Sequence, residues 1–193
     1  MLDFILKYDK KAFLYLNSKH APELDGIMWW ISGNKSWIPL YIVMLFIIIY
    51  HEWPRRFIYT ILFMAITVML CDQLSALIKF LVERPRPTHD YEIANMVHIV
   101  NSYKGGAYGF VSSHAANCFG VAAFLSNWFK HYKWSILMFT WAIIVSYSRI
   151  YLGVHYPLDI LCGAFIGTII GIQCYIFKVH TTVFVEKIIK IRK

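Results

Sequence analysis

The chain has 193 residues, 59% of them hydrophobic and 16% charged, with a mean hydropathy of +0.52. That length fits one domain over residues 1–193. That apolarity excludes an ordinary soluble domain and points to an all-α, polytopic membrane helix bundle. The formal net charge is +8. No aromatic–basic interleaving or nucleic-acid motif accompanies it, so the basic excess reads as the positive flanks of membrane helices, with no nucleic-acid partner.

In chain order, Leu2–Leu16 mixes apolar positions with Asp3, Lys7, Asp9, Lys10 and Lys11. Those charges exclude a cleavable signal peptide. They predict an amphipathic helix within residues 1–20, lying along the membrane, with a crossing as the alternative. A short apolar piece, Leu24–Ile31, follows and is broken at Gly33-Asn34 from the first span. A bilayer needs about 20 mostly apolar residues per helix. Five stretches qualify: about Lys35–Trp53, Phe57–Val82, Ser113–Trp128, Trp134–Leu152 and Leu158–Phe177. The one long connection, residues 83–107, holds Arg84-Pro85-Arg86-Pro87, Asp90, Glu92, His98 and Gly105-Gly106. Two X-Pro units stop the preceding helix and force extended backbone, so an extramembrane cap is expected there. Cys71, Cys118, Cys162 and Cys174 fall inside apolar runs without metal-ligand spacing and read as packing residues. His20, His51, His89, His98, His131 and His180 lack partners at informative spacing and read as surface or interfacial.

Three clusters remain. Lys79 precedes Arg86-Pro87 by K-x6-R-P, Ser112 and His114 form S-x-H, and Ser148-Arg149, His155 and Asp159 form S-R-x5-H-x3-D. Alternating spans put all of them on one membrane face, an agreement that random polar residues would rarely achieve. A charge at a helix centre costs about 2.5–3.5 kcal/mol on insertion scales, so Lys79, Arg86 and Arg149 belong near the interface, gathered around an anion. His155 and Asp159 stand four apart around Pro157, in the first turn of the fifth helix. The carboxylate can fix the tautomer and leave the other ring nitrogen free to attack phosphorus. His114, at the opening of the third helix with Ser112 and Ser113, suits a general acid beside a phosphate held at a helix N-terminus. Lys79, Arg86 and Arg149 would hold the non-bridging oxygens, the work a metal ion would otherwise do. No acidic cluster has metal spacing, so neither metal nor cofactor is expected.

In these motifs the chain resembles the type 2 phosphatidic acid phosphatase (PAP2) superfamily. The first and third match without exception. The second reads Val111-Ser112-Ser113-His114 where the family has P-S-G-H. Serine, histidine and helix N-terminus survive, so activity is expected to survive. The resemblance implies a metal-independent hydrolase of a phosphomonoester or diphosphate of a membrane lipid, acting through a phosphohistidine. Catalysis falls to His155, His114 and Asp159, with phosphate held by Lys79, Arg86, Ser112, Ser113 and Arg149. The apolar spans exclude the family's soluble acid phosphatases and vanadium haloperoxidases. Bacterial members act on undecaprenyl diphosphate, phosphatidylglycerol phosphate, phosphatidic acid or lipid A phosphates, and the first and last are favoured. A lipid phosphotransferase and a non-catalytic lipid-phosphate binding or transport protein are the alternatives.

Arg55, Arg56, Lys130, Lys133, Lys178, Lys187, Lys190, Arg192 and Lys193 collect on the face opposite the motifs. The positive-inside rule then places the site outside the cytoplasm, in the periplasm or exterior of a bacterial plasma membrane, with the C-terminus inside. Lys7, Lys10, Lys11, Lys19 and Lys35 oppose this orientation unless Leu2–Leu16 crosses the membrane.

Overall fold

The computed structural model describes residues 2–191, and its architecture is all-helical. In order come α1 (Leu2–Asn17), α2 (Pro22–Ser32), α3 (Ile38–Glu52), α4 (Arg56–Val82), α5 (Ser113–Phe129), α6 (Tyr132–Tyr151) and α7 (Pro157–Ile191). The five expected spans correspond to α3–α7. By length and composition alone, Asn34–Glu52, Arg56–Val82 and Pro157–Ile191 are long and apolar enough to cross a membrane. The apolar piece Leu24–Ile31 becomes α2, opened by Pro22 with Glu23 and Asp25 in its first turn.

The fifth span outruns its expected end at Phe177. Past Gly171 the sequence holds no glycine or proline to stop it, so α7 continues for 35 residues. That is about 52 Å of helix, against a hydrocarbon core of about 30 Å. Lys187 and Lys190 ride on the excess; Arg192 and Lys193, counted with them above, lie outside the described residues.

Helices α5 and α7 touch backbone to backbone. A Cβ on Gly163, Gly167 or Gly171 would lie 2.6, 2.1 or 2.2 Å from the carbonyl oxygens of Ser112, Ala116 and Gly120 respectively. Three small residues at four-residue spacing thus make one groove for the neighbouring helix. Around this pair the core is filled by Met44, Ile48, Phe124, Leu125, Met138 and Val145. At the end remote from the motifs, Glu52 accepts from Lys178 Nζ at 2.6 Å and from Trp128 Nε1 at 2.9 Å, and also from the Thr60 hydroxyl. One carboxylate there joins α3, α4, α5 and α7.

Helix α1 docks against the motif end of the bundle. Asp9 pairs with Arg84 and caps α7 by accepting from Leu158 N, and Lys10 pairs with Asp90 and Glu92. Phe13, fully buried, meets the Tyr156 ring edge-on, and Asn17 donates to the carbonyls of His98, Ile150 and Tyr151. All these partners sit on the motif face. The polar side chains of Leu2–Asn17 thus pack on the motif end of the bundle. Two histidines read as unpartnered are in fact engaged: His98 Nε2 lies 2.9 Å from Asp25 Oδ1, and its ring stacks on His20 at 3.8 Å.

Candidate active site

The short turn between α6 and α7 presents His155. Leu152 N bonds back to the Ser148 carbonyl, and Gly153, at φ +76°, reverses the chain where a Cβ would strike Val97 and the His98 carbonyl. Pro157 then opens α7, and Asp159 in its first turn, wholly buried, aims its carboxylate back at the turn. Its Oδ2 lies 3.3 Å from His155 Nδ1 and accepts from Tyr156 N at 3.0 Å.

The opposite ring nitrogen fixes the tautomer. Arg86 NH1 lies 3.2 Å from His155 Nε2, and a guanidinium can only donate. Nε2 must therefore carry the lone pair, and the ring proton sits on Nδ1, facing Asp159. Burial, together with the charges of Arg86, Arg149 and Lys79, holds the imidazole well below its ordinary pKa of 6.5. His155 is thus neutral, oriented from behind and open at Nε2, the state a nucleophile needs.

The cations are placed by different elements. Lys79, in the last turn of α4, hydrogen-bonds the Ser113 hydroxyl. Arg86 is braced from the loop by the carbonyls of Tyr108 at 3.0 Å and Val154 at 3.1 Å. Gly105, at φ +68°, passes so close that a Cβ there would lie 3.0 Å from NH1. Arg149, 4% exposed, donates to the Ser32 hydroxyl and to Tyr103 Oη at 3.3 Å, and its Nε has no partner among the described residues. No carboxylate lies within ion-pair distance of Lys79, Arg86 or Arg149 among the described residues. Burying unpaired charge is unfavourable unless an anion completes the set. His114 stands in the first turn of α5, next to Ser113, whose hydroxyl Lys79 engages. Ser112 is fully buried as the helix cap, its hydroxyl accepting from Ala115 N. Its own proton remains free to donate.

The structure thus brings all eight expected site residues to one end of the bundle. It also adds residues that spacing did not single out. Arg84, two before Arg86, bridges Asp159 Oδ1 at 2.8 Å and Asp9 Oδ2 at 2.7 Å and stacks over the Tyr156 ring. Ser32 and Tyr103 orient Arg149 across 117 and 46 residues of sequence, separations that periodicity cannot report. The loop 83–107 packs against this end through its own side chains. Its Thr88 hydroxyl holds the Lys104 carbonyl at 2.7 Å, and its Asp90 accepts from Tyr156 Oη at 2.7 Å.

From Ser32, Ser113 and His114 a cleft of about 530 Å³ descends between α3, α4, α5 and α6. Below those polar residues its walls are mostly apolar, Met44, Ile61 and Met138 among them.

A buried Arg149 and half-buried Lys79 and Arg86, none with a carboxylate partner among the described residues, around a neutral, oriented histidine beside an apolar cleft in a helix bundle define a membrane-embedded phosphate-transfer enzyme. The family model of the PAP2 superfamily matches residues 57–182, and the chain belongs to that superfamily, as a membrane phosphatase. It is 38% identical over 170 residues to a lipid A 4'-phosphatase of Bacteroides thetaiotaomicron, covering 86% of this chain and 75% of the relative. It is 35% identical over 184 residues to a lipid A 4'-phosphatase of Porphyromonas gingivalis, covering 93% and 75%. Among solved structures it is similar to LpxE of Aquifex aeolicus, with a TM-score of 0.61, 25% identity, and coverage of 85% of this chain and 92% of that one.

Proposed function

We propose that the protein removes a phosphate monoester from a lipid A-type glycolipid, through a phosphohistidine on His155 and without a metal. The observation that carries this reading is the set of three cations, Lys79, Arg86 and Arg149, lacking carboxylate partners around the free Nε2 of His155. Lys79, Arg84, Arg86 and Arg149 meet Asp9 and Asp159 at close range, with Asp72 on α4 acting on Lys79 from farther off, so positive charge remains for a phosphate monoester. The similarity to two lipid A 4'-phosphatases supports the head group, and the apolar cleft beside His114 offers room for acyl chains.

In the first step the Nε2 lone pair forms the P–N bond as the ester P–O bond breaks. His114 gives its proton to the departing sugar oxygen. With four cations nearby, that proton must arrive with the anionic substrate. His155 keeps its Nδ1 proton, and the positive charge gained by the ring is offset by Asp159. In the second step His114, now neutral, takes a proton from water as the water oxygen attacks phosphorus. The P–N bond breaks and its electron pair returns to Nε2. Lys79, Arg86 and Arg149 hold the non-bridging oxygens throughout, with Ser112 and Ser113 as hydroxyl partners.

The site would face the periplasm or exterior, with the overhang of α7 in the cytoplasm. Arg55, Arg56, Lys130, Lys133, Lys187 and Lys190 support that orientation. The α1 lysines weigh against it, though Lys10 is paired with Asp90 and Glu92.

The test is phosphate release by detergent-purified protein in excess EDTA. The substrates are lipid A bearing a 4'-phosphate, undecaprenyl diphosphate, phosphatidylglycerol phosphate and phosphatidic acid, with a soluble aryl phosphate as control. Turnover of lipid A well above the others is expected. Preference for undecaprenyl diphosphate would reassign the substrate, and loss of all turnover in EDTA would refute the metal-free mechanism.

A further inference from the structure

Asp9 and Asp90 are buried charged groups at this end that the phosphate-transfer steps leave unused, and Arg84, its side chain 12% exposed, joins the first of them to the site. Asp9 is 7% exposed, on a helix read from sequence as a surface anchor. Arg84 directs both guanidinium nitrogens at carboxylates, NH2 to Asp9 Oδ2 at 2.7 Å and NH1 to Asp159 Oδ1 at 2.8 Å. Its plane is pinned over the Tyr156 ring, 4.1 Å from the centroid. Tyr156 is in turn held by Asp90, which Lys10 of α1 pairs at 2.7 Å.

We infer that Arg84 and Asp9 are positioning residues for the nucleophile: a buried chain, Asp9–Arg84–Asp159–His155, carries the docking of α1 to the Nδ1 atom of His155. This rests on His155 being the nucleophile. The fork geometry supplies the reason. Asp159 has two carboxylate oxygens, and only Oδ2 faces His155. By occupying Oδ1, Arg84 stops the carboxylate from rotating and keeps Oδ2 on the Nδ1 proton. A guanidinium facing Asp159 alone would also draw off its negative charge, leaving less to stabilise the ring once phosphorus is bound. Asp9 offsets that draw by sharing the guanidinium, so Asp159 stays charged and aimed. The second oxygen of Asp9 accepts from Leu158 N at 2.9 Å, which fixes α1 to the first turn of α7, one residue from Asp159.

The experiment compares Asp9→Asn, Arg84→Gln, Arg84→Lys and the Asp9→Asn/Arg84→Gln double variant with the wild type, in detergent, on a soluble aryl phosphate. His155→Ala is the control for the nucleophile itself. Each single variant is expected to lose about tenfold in kcat, the scale of one charge-assisted hydrogen bond, with KM within about twofold. Arg84→Lys keeps the charge but not the two-pronged geometry and is expected to fall with Arg84→Gln. The double variant is expected to fall no further than the worse single, because both act through Asp159. Wild-type kcat in either Asp9→Asn or Arg84→Gln, with His155→Ala inactive, overturns the chain. So do losses confined to KM, or losses that multiply in the double variant. An active His155→Ala protein overturns the nucleophile reading instead. Asp9→Asn is isosteric and keeps an acceptor for Leu158 N. If the Arg84 variants fail to fold, it decides alone: a lowered kcat supports the chain and an unchanged one refutes it.

Discussion

Gly109→Ala tests whether the His155–Asp159 contact carries turnover. The backbone at Gly109 is one an alanine can adopt, so the substitution acts through its methyl group. That carbon would lie 2.9 Å from Asp159 Oδ2 and 3.3 Å from Arg86 Cγ, where ordinary contact begins at 3.4 Å. The carboxylate must retreat by about half an ångström, and its hydrogen bond to Nδ1, at 3.3 Å, is already long. A further retreat of that size takes it beyond hydrogen-bonding range. If the backbone yields instead, it shifts the Gly109 carbonyl, which also accepts from the His155 ring. Either movement loosens the ring. A hydrogen bond to a charged group contributes about 1.5–3 kcal/mol, so kcat is expected to fall by about 10- to 100-fold. Initial rates on an aryl phosphate, with a melting curve to establish folding, measure this. A folded Gly109→Ala protein with wild-type kcat, or one altered in KM alone, refutes the reasoning.

Two further outcomes are expected. Because burial and three cations hold His155 well below 6.5, it stays neutral as pH falls through 6.5. The acid limb of kcat/KM, corrected for the substrate's own ionisation, therefore lies below that value. Arg86→Gln removes one of the cations and moves the limb to higher pH; a wild-type limb at or above 6.5 contradicts the assignment. Gly167→Val places a branched side chain where even a Cβ sits 2.1 Å from the Ala116 carbonyl oxygen. Forcing α5 from α7 is expected to lower stability by about 1–3 kcal/mol or more, read by thermal melting in detergent. An unchanged melt would mean that the two helices are not in backbone contact.

How much of this was legible beforehand depended on sequence distance. The K-x6-R-P, S-x-H and S-R-x5-H-x3-D spacings, with alternating spans, brought Lys79, Arg86, His114, Arg149, His155 and Asp159 together without coordinates. Hydropathy also located helices α3–α7, because each is a local property of about 20 residues, although by length and composition only three of the expected spans qualify, among the described residues, as crossing a membrane. Arg84 could not be told from its neighbours in Arg84-Pro85-Arg86-Pro87, since its partners lie 75 residues away in both directions. Asp9 and Asn17 looked like the polar face of a surface helix, yet both are buried. Charge pattern alone does not say whether a polar stripe meets water or protein. The α7 glycines did carry a readable signal, small residues at every fourth position in an apolar run, and close helix contact follows from it.

The carboxylate of Glu52 has a mechanical side as well. It fastens the far end of α3 to α4, α5 and α7, whereas the rest of α3 buries only Met44 and Ile48. His114 on α5 and His155 in the turn that leads into α7, by contrast, are held by two helices locked together along the Gly163–Gly171 groove. Helix α3 is therefore the most lightly packed wall of the cleft, tied at Glu52 at the end remote from the phosphate site. The positions of His114 and His155 thus depend on α5 and α7 rather than on the wall that lipid tails would lie against.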